Sequence, residues 1–260
     1  MTHDDVTRGA DRHGAYRDAE VFPAELAACR RCPRLAAHRE EVARTKRAAY
    51  RDQSYWGRPV PGFGDPAARL LLLGLAPGAH GSNRTGRMFT GDASGDVLFP
   101  ALHRAGLADR PDAVRRGDGL GLRGTWITAA ARCVPPGNRP RRAELVACRS
   151  WLTLDLERLP HVQAVLALGR IAHDAYLDLL RERGARIVKA RHPFGHGAVH
   201  RLDRHASAPE AAVLIDSYHV SFQNTNTGRL TEAMLDEVLG VAVAWAGLAA
   251  RPDAPAVRPT

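Results

Sequence analysis

Four short apolar runs, each closed by a polar loop and followed by a helical pattern, limit what this chain can fold into more than any other feature. The runs cover residues 69–74, 125–131, 162–169 and 211–217. They are continuously apolar rather than alternating, so each reads as a strand buried on both faces. Helical patterns at 94–105, 141–158, 171–183 and 231–248 follow in turn. Pro140 opens the second of these, Pro160 closes it, and Gly184 stops the third. Strands alternating with helices argue for a parallel α/β sheet in a single domain. In such sheets ligands sit beyond the carboxyl ends of the strands.

Three loops at that edge are more elaborate than connectors need. They are "GLAPGAHGSNRTGRMFTGD" after the first run, "RCVPPGNRP" after the second and "YHVSFQNTNTGR" after the fourth. The chain has 260 residues, of which 45% are hydrophobic, enough for one large core. We expect one domain over residues 21–250 between flexible tails at 1–20 and 251–260. No stretch approaches the ~20 apolar residues needed to span a bilayer, and the N-terminus lacks the apolar core of a secretory signal. A cytoplasmic protein is the default, with no reason to expect an oligomer. The net charge is +9, nearly all from arginine, since Lys46 and Lys189 are the only lysines. Arginine offers a planar fork suited to phosphate, and a basic domain without a membrane segment points toward nucleic acid.

The only cysteines are Cys29, Cys32, Cys133 and Cys148. A C-x2-C pair flanked by arginines, "CRRCPR", does not look like a hydrophobic interior. Four thiolates can hold a structural zinc or a cubane iron–sulfur cluster, and spacing does not choose between them. Either would tie the N-terminal segment to the loop after the second strand.

Together the three loops and the cysteines resemble the uracil-DNA glycosylase superfamily, and most closely its family 5, the type B enzymes of bacteria and archaea. The resemblance runs from about Cys29 to Gly240. It implies a three-layer α/β/α sandwich with a central four-stranded parallel sheet. It also implies a 4Fe-4S cluster on the four cysteines, DNA containing damaged bases as the partner, and no small-molecule cofactor. The implied activity is monofunctional, water-using excision of uracil, with no lyase step because neither lysine falls in a motif.

Such an enzyme extrudes the nucleotide and holds the base in a pocket. Gly74, Ala76 and Gly78 line the first loop, and glycines there allow close backbone approach. Phe89 offers a flat face for the base. Cleavage leaves positive charge on the sugar and negative charge on the base. Leu75 and Ala76 stand where many members carry a polar residue, and the resemblance moves the carboxylate's task to Asp92, with Asp96 as fallback. His219 fits a neutral hydrogen-bond donor to the departing base, and Asn138 resembles a residue that helps catalysis or binds the base. Ser82, Asn83, Arg84 and Arg87 in the first loop, and Ser221, Gln223, Asn224, Asn226 and Arg229 in the third, carry donors for DNA phosphates. Phe222, Gln223 and Asn224 are candidate wedges. Ala129 stands where uracil-specific members carry an asparagine, so the pocket is expected to tolerate hypoxanthine and other deaminated bases. Segment 191–206, "RHPFGHGAVHRLDRHA", reads as a basic hairpin near DNA. A non-catalytic damaged-DNA-binding protein with a metal-stabilised fold is the alternative. A nucleotide-binding enzyme is weaker, because the glycine-rich loop has neither phosphate-binding signature.

Overall fold

The computed structural model describes residues 16–17, 24–202 and 213–249. The C-terminal tail, His205 and the rest of 203–212 lie outside these residues. So does the N-terminal tail, apart from Tyr16–Arg17, which pair antiparallel with Gly121–Leu122.

The four apolar runs are strands, and all pair in parallel. They are β2 (Leu70–Gly74), β3 (Thr125–Ala129), β4 (Ala164–Leu168) and β6 (Val213–Ser217), adjacent in the order β3–β2–β4–β6. Two short antiparallel strands extend this sheet to six. β1 (Phe63–Gly64) lies beside β3, and β5 (Val199–Arg201) lies beside β6. Neither edge strand is long or periodic enough to read from sequence. Within the segment 191–206, read as a hairpin, the one described strand is β5, and its partner β6 lies outside the segment.

Side chains alternate across each strand. Leu70, Leu72, Ile127, Leu166 and Ile215 join one apolar layer, and Leu71, Leu73, Trp126, Val165 and Leu214 join another. The first layer is covered by α2 (Ala93–Arg104) and α5 (Glu232–Trp245), through residues such as Leu98, Leu102, Leu235 and Leu239. The second is covered by α3 (Arg142–Glu157) and α4 (Arg170–Glu182), through Leu152, Leu156, Tyr176 and Leu180. This is the expected three-layer sandwich. A further helix, α1 (Pro33–Thr45), begins directly after Cys32; it has a proline at its first position, as helix starts favour.

Caps place the helix starts at the edge where ligands are expected. Asp92 accepts from the backbone N–H of Ser94 (3.1 Å) and Gly95 (3.3 Å) and so opens α2. Thr231 does the same for α5 through Met234 N–H at 3.2 Å. At α3 the Glu144 carboxylate accepts from Arg141 N–H at 2.7 Å. Each cap satisfies donors that a helix start otherwise leaves bare.

Candidate active site and cysteine centre

Gly74 and Ala129 end neighbouring strands and sit in register with each other. The Phe89 ring lies over Gly74: a Cβ there would come within 2.7 Å of the ring edge. Phe89 itself holds a left-handed φ of 53°, uncommon for a bulky residue and found where surrounding packing enforces it. Its ring is mostly buried and stands 6.2 Å from the His219 ring, tilted by 34°.

His219 follows β6. Burial pushes its imidazole down to about 4, so the ring is neutral at pH 7. Its ring nitrogens make no hydrogen bond among the described residues. The Asn224 side-chain amide donates to its backbone carbonyl at 2.8 Å.

Asp92 shows why the first loop needs its glycines. One carboxylate oxygen, Oδ1, caps α2. The other, Oδ2, lies against Gly78 and Gly81, where an added Cβ would come within 2.6 Å and 1.8 Å of it. Those two glycines make room for a carboxylate. Burial lifts the Asp92 carboxyl above the ordinary carboxylate range, although the two capping N–H groups pull it down. Asp96, the alternative carboxylate, stands exposed in the first turn of α2.

Several expected phosphate contacts are turned inward. Ser82, Asn83 and Arg87 are buried. Asn83 donates to the Arg39 carbonyl at 3.2 Å. Arg87 forks onto Asp118 at 2.8 and 2.7 Å. Arg84 donates to the carbonyls of His80 (2.6 Å) and Gly91 (2.8 Å) and to Gln53 (2.7 Å), and its guanidinium stacks over Tyr50. Asn83, Arg84 and Arg87 brace the loop and Ser82 is buried beside them, so these side chains are turned away from the phosphate role expected of them. A buried guanidinium with a carboxylate partner is not available to a phosphate.

The third loop keeps its donors in the open. Gln223, Asn226 and Arg229 are exposed, and the Arg229 guanidinium stacks 4.6 Å from the Tyr218 ring centre. Ser221 is half-buried and caps the short helix Phe222–Asn226 by accepting from Asn224 N–H at 3.4 Å. Phe222 is 66% exposed at the start of that helix. Ala76 is half-buried beside the glycines. Asn138 stands exposed in the loop after β3 with a left-handed φ of 56°, a conformation asparagine tolerates.

The four cysteines, spread over 120 positions of sequence, line one small cavity. Two buried arginines beside them had no signal in the sequence. Arg39 donates to the Cys133 sulfur at 2.9 Å and to the Cys29 carbonyl at 3.1 Å. Arg132 donates its backbone N–H to the Cys148 sulfur at 3.3 Å and pairs with Asp155 through its side chain. Arg39 Nε, both Arg132 Nε and Nη1, and Trp151 Nε1 are buried with no partner. Burial raises the thiol of Cys133, and pushes that of Cys148 up to about 12. Four thiols ringed by orphaned donors fit a group that binds thiolates and leaves net negative charge.

The Uracil DNA glycosylase superfamily model matches residues 61–241. The chain belongs to the uracil-DNA glycosylase superfamily. Its members include a "Type-5 uracil-DNA glycosylase" of Thermus thermophilus, 56% identical over 231 residues, which span 89% of this chain and 100% of the relative. A protein of the same description from Mycobacterium bovis is 50% identical over 86% of this chain and 80% of its own. A third, from Pyrobaculum aerophilum, is 46% identical over 94% of this chain and 99% of its own. Membership makes this chain a hydrolase of N-glycosidic bonds, and the first and third loops of the site lie within the matched region. No helix among the described residues is long and apolar enough to cross a membrane.

Proposed function

We propose that this protein flips uracil, and also hypoxanthine and other deaminated bases, out of DNA and hydrolyses the bond to the sugar as the first step of base excision repair. The reading rests above all on Asp92, whose Oδ2 faces two glycines while its Oδ1 is held by a helix cap. A carboxylate fixed in that way is preorganised to orient water and to stabilise positive charge on the sugar. His219, neutral and without a hydrogen bond from its ring, donates to the departing base. Phe89 stacks on that base above Gly74. Ala129, buried at the end of β3, has a side chain with neither donor nor acceptor, which supports a tolerant pocket. Asn138 joins from the loop after β3. Gln223, Asn226 and Arg229 take the phosphates, and exposed Phe222 is the better wedge, because Asn224 is already engaged with the His219 backbone.

Cys29, Cys32, Cys133 and Cys148 would hold a 4Fe-4S cluster, whose contribution is to tie α1 and α3 to the loop after β3. Zinc is the less favoured occupant of the same four thiolates.

The test is single-turnover base release from duplexes carrying uracil or hypoxanthine. Asp92→Asn preserves the cap, since asparagine caps as well as aspartate. We expect wild type to release both bases and Asp92→Asn to be slowed by about a hundredfold or more, roughly 2.7 kcal/mol of barrier. Equal rates in the two proteins would remove Asp92 from the mechanism. Binding of lesion DNA without release by wild type would favour the binding-only reading.

A further inference from the structure

Behind the His219 cleft lies a cluster of ionisable groups that the reaction above does not use. Asp216 is fully buried on β6, three residues before His219. His173 on α4 and His200 on β5 are buried against it. His173 Nδ1 is 2.8 Å from Asp216 Oδ1, and His200 Nε2 is 3.0 Å from Asp216 Oδ2. The second His173 nitrogen, Nε2, lies 3.0 Å from the His192 backbone carbonyl. Asp216 Oδ2 also accepts from Gly195 N–H at 3.3 Å.

Both His173 nitrogens and one His200 nitrogen lie within hydrogen-bond distance of a partner, two of these three on the Asp216 carboxyl group and the third on the His192 carbonyl. The same three ligand atoms could be imagined around a cation. Their direct contacts at 2.8 and 3.0 Å, however, already occupy the faces that a cation would need.

A buried polar network is a weak source of stability compared with apolar packing, and its best-attested use is to specify one arrangement. Here the arrangement specified is that of segment 192–197. The network holds it at the His192 carbonyl and at Gly195 N–H. Backbone bonds from Gly197 N–H to the Asp216 carbonyl (2.8 Å) and from Asp216 N–H to the Ala198 carbonyl (3.0 Å) continue the attachment. Between the two side-chain anchors sits Phe194. It meets the edge of His173 at 5.7 Å, lies 6.4 Å from Tyr218 and carries the Arg170 guanidinium at 5.2 Å. Phe194 and Gly195 line a cleft of about 290 Å³ whose other walls include Tyr218, His219 and Arg229.

We propose that the His173–Asp216–His200 network is a positioning device that fixes Phe194 and Gly195 as a wall of the His219 cleft, and that Phe194 on this wall contacts the flipped nucleotide. The inference rests on the glycosylase reading for its ligand, while the network itself is testable in the free protein. His173, Asp216 and His200 touch no substrate and act through the wall. Of these groups only the wall residues Phe194 and Gly195 meet the nucleotide.

Two measurements decide it. Hydrogen-exchange NMR of the free protein should show the Gly195 amide protected in wild type and exchanging faster in His173→Gln. Equal exchange of that amide in the two proteins overturns the network as drawn. Single-turnover uracil release should then be followed against enzyme concentration for wild type, Phe194→Ala and His173→Gln. We expect the half-saturating concentration to rise about tenfold or more in each variant, with the effect falling there and not on the limiting rate. The double variant should be no worse than His173→Gln alone, because both changes remove the same wall. A loss confined to the limiting rate, or additive losses in the double variant, overturns the proposal. Phe194 is only half-buried, so Phe194→Ala keeps the test valid if His173→Gln fails to fold. An unchanged half-saturating concentration in Phe194→Ala also overturns it. If wild type releases no base, the glycosylase reading fails while the NMR result still stands or falls by itself.

Discussion

The two oxygens of Asp92 face different ways, and under the proposed reaction that division lets one residue serve as helix cap and as reactive carboxylate. Capping fixes the side chain's rotamer, so the free oxygen needs no reordering during reaction. In the same proposal His219 complements it as a donor that burial keeps neutral. Burial also makes His219 a source of acid instability. Its folded value near 4 lies below the ordinary 6.5, so the stability it contributes is present above pH 6.5 and is lost as pH falls toward 4. The full shift corresponds to about 3 kcal/mol. Urea unfolding at pH 7 and at pH 4 should therefore show a larger loss in wild type than in His219→Gln, by up to about that amount. Parallel pH dependence in the two proteins would mean that His219 is not held neutral by the fold.

Between β2 and α2, the first loop is a brace built from side chains that look in sequence like DNA contacts. Arg84, Arg87 and Asn83 hold the turn from within, and Gly78 and Gly81 leave the space that Asp92 fills. Gly81→Ala places a methyl group 1.8 Å from Asp92 Oδ2, so the carboxylate must move. A displacement of about 1 Å at a reacting centre costs on the order of a hundredfold in rate. We expect Gly81→Ala to lose single-turnover rate by about that factor while binding lesion DNA like wild type, as read by fluorescence anisotropy. An unchanged rate would show that Oδ2 does not need this position.

Across the whole molecule, the cysteine centre joins parts that the sheet leaves independent. α1 packs against the sandwich near Cys133 and Cys148, helped by the Arg34–Glu144 fork at 2.7 Å. Binding energy at such a centre is also folding energy. Cys148→Ser should therefore lose the brown colour of an iron–sulfur cluster and melt about 10 °C or more below wild type. Limited proteolysis should then cut first within residues 29–45. A colourless wild type that binds zinc tightly would replace the cluster with the smaller metal. Unchanged melting in Cys148→Ser would remove the structural role altogether.

The sequence by itself determined the four parallel strands, the four helices that cover them and the edge where the three loops gather, because each depends on local periodicity and on punctuation by glycine and proline. It also carried the family, through motifs long enough to identify it. The edge strands were illegible: Phe63–Gly64 and Val199–Arg201 are strands only because β3 and β6 offer them partners. The roles of Arg87, Asn83, His173 and Asp216 were decided by tertiary structure alone. Arg87 finds Asp118 thirty-one positions away, and His173 finds Asp216 forty-three positions away. Whether a polar side chain faces DNA or a buried partner depends on which distant residue the fold brings to it. Local pattern carries no record of that distance.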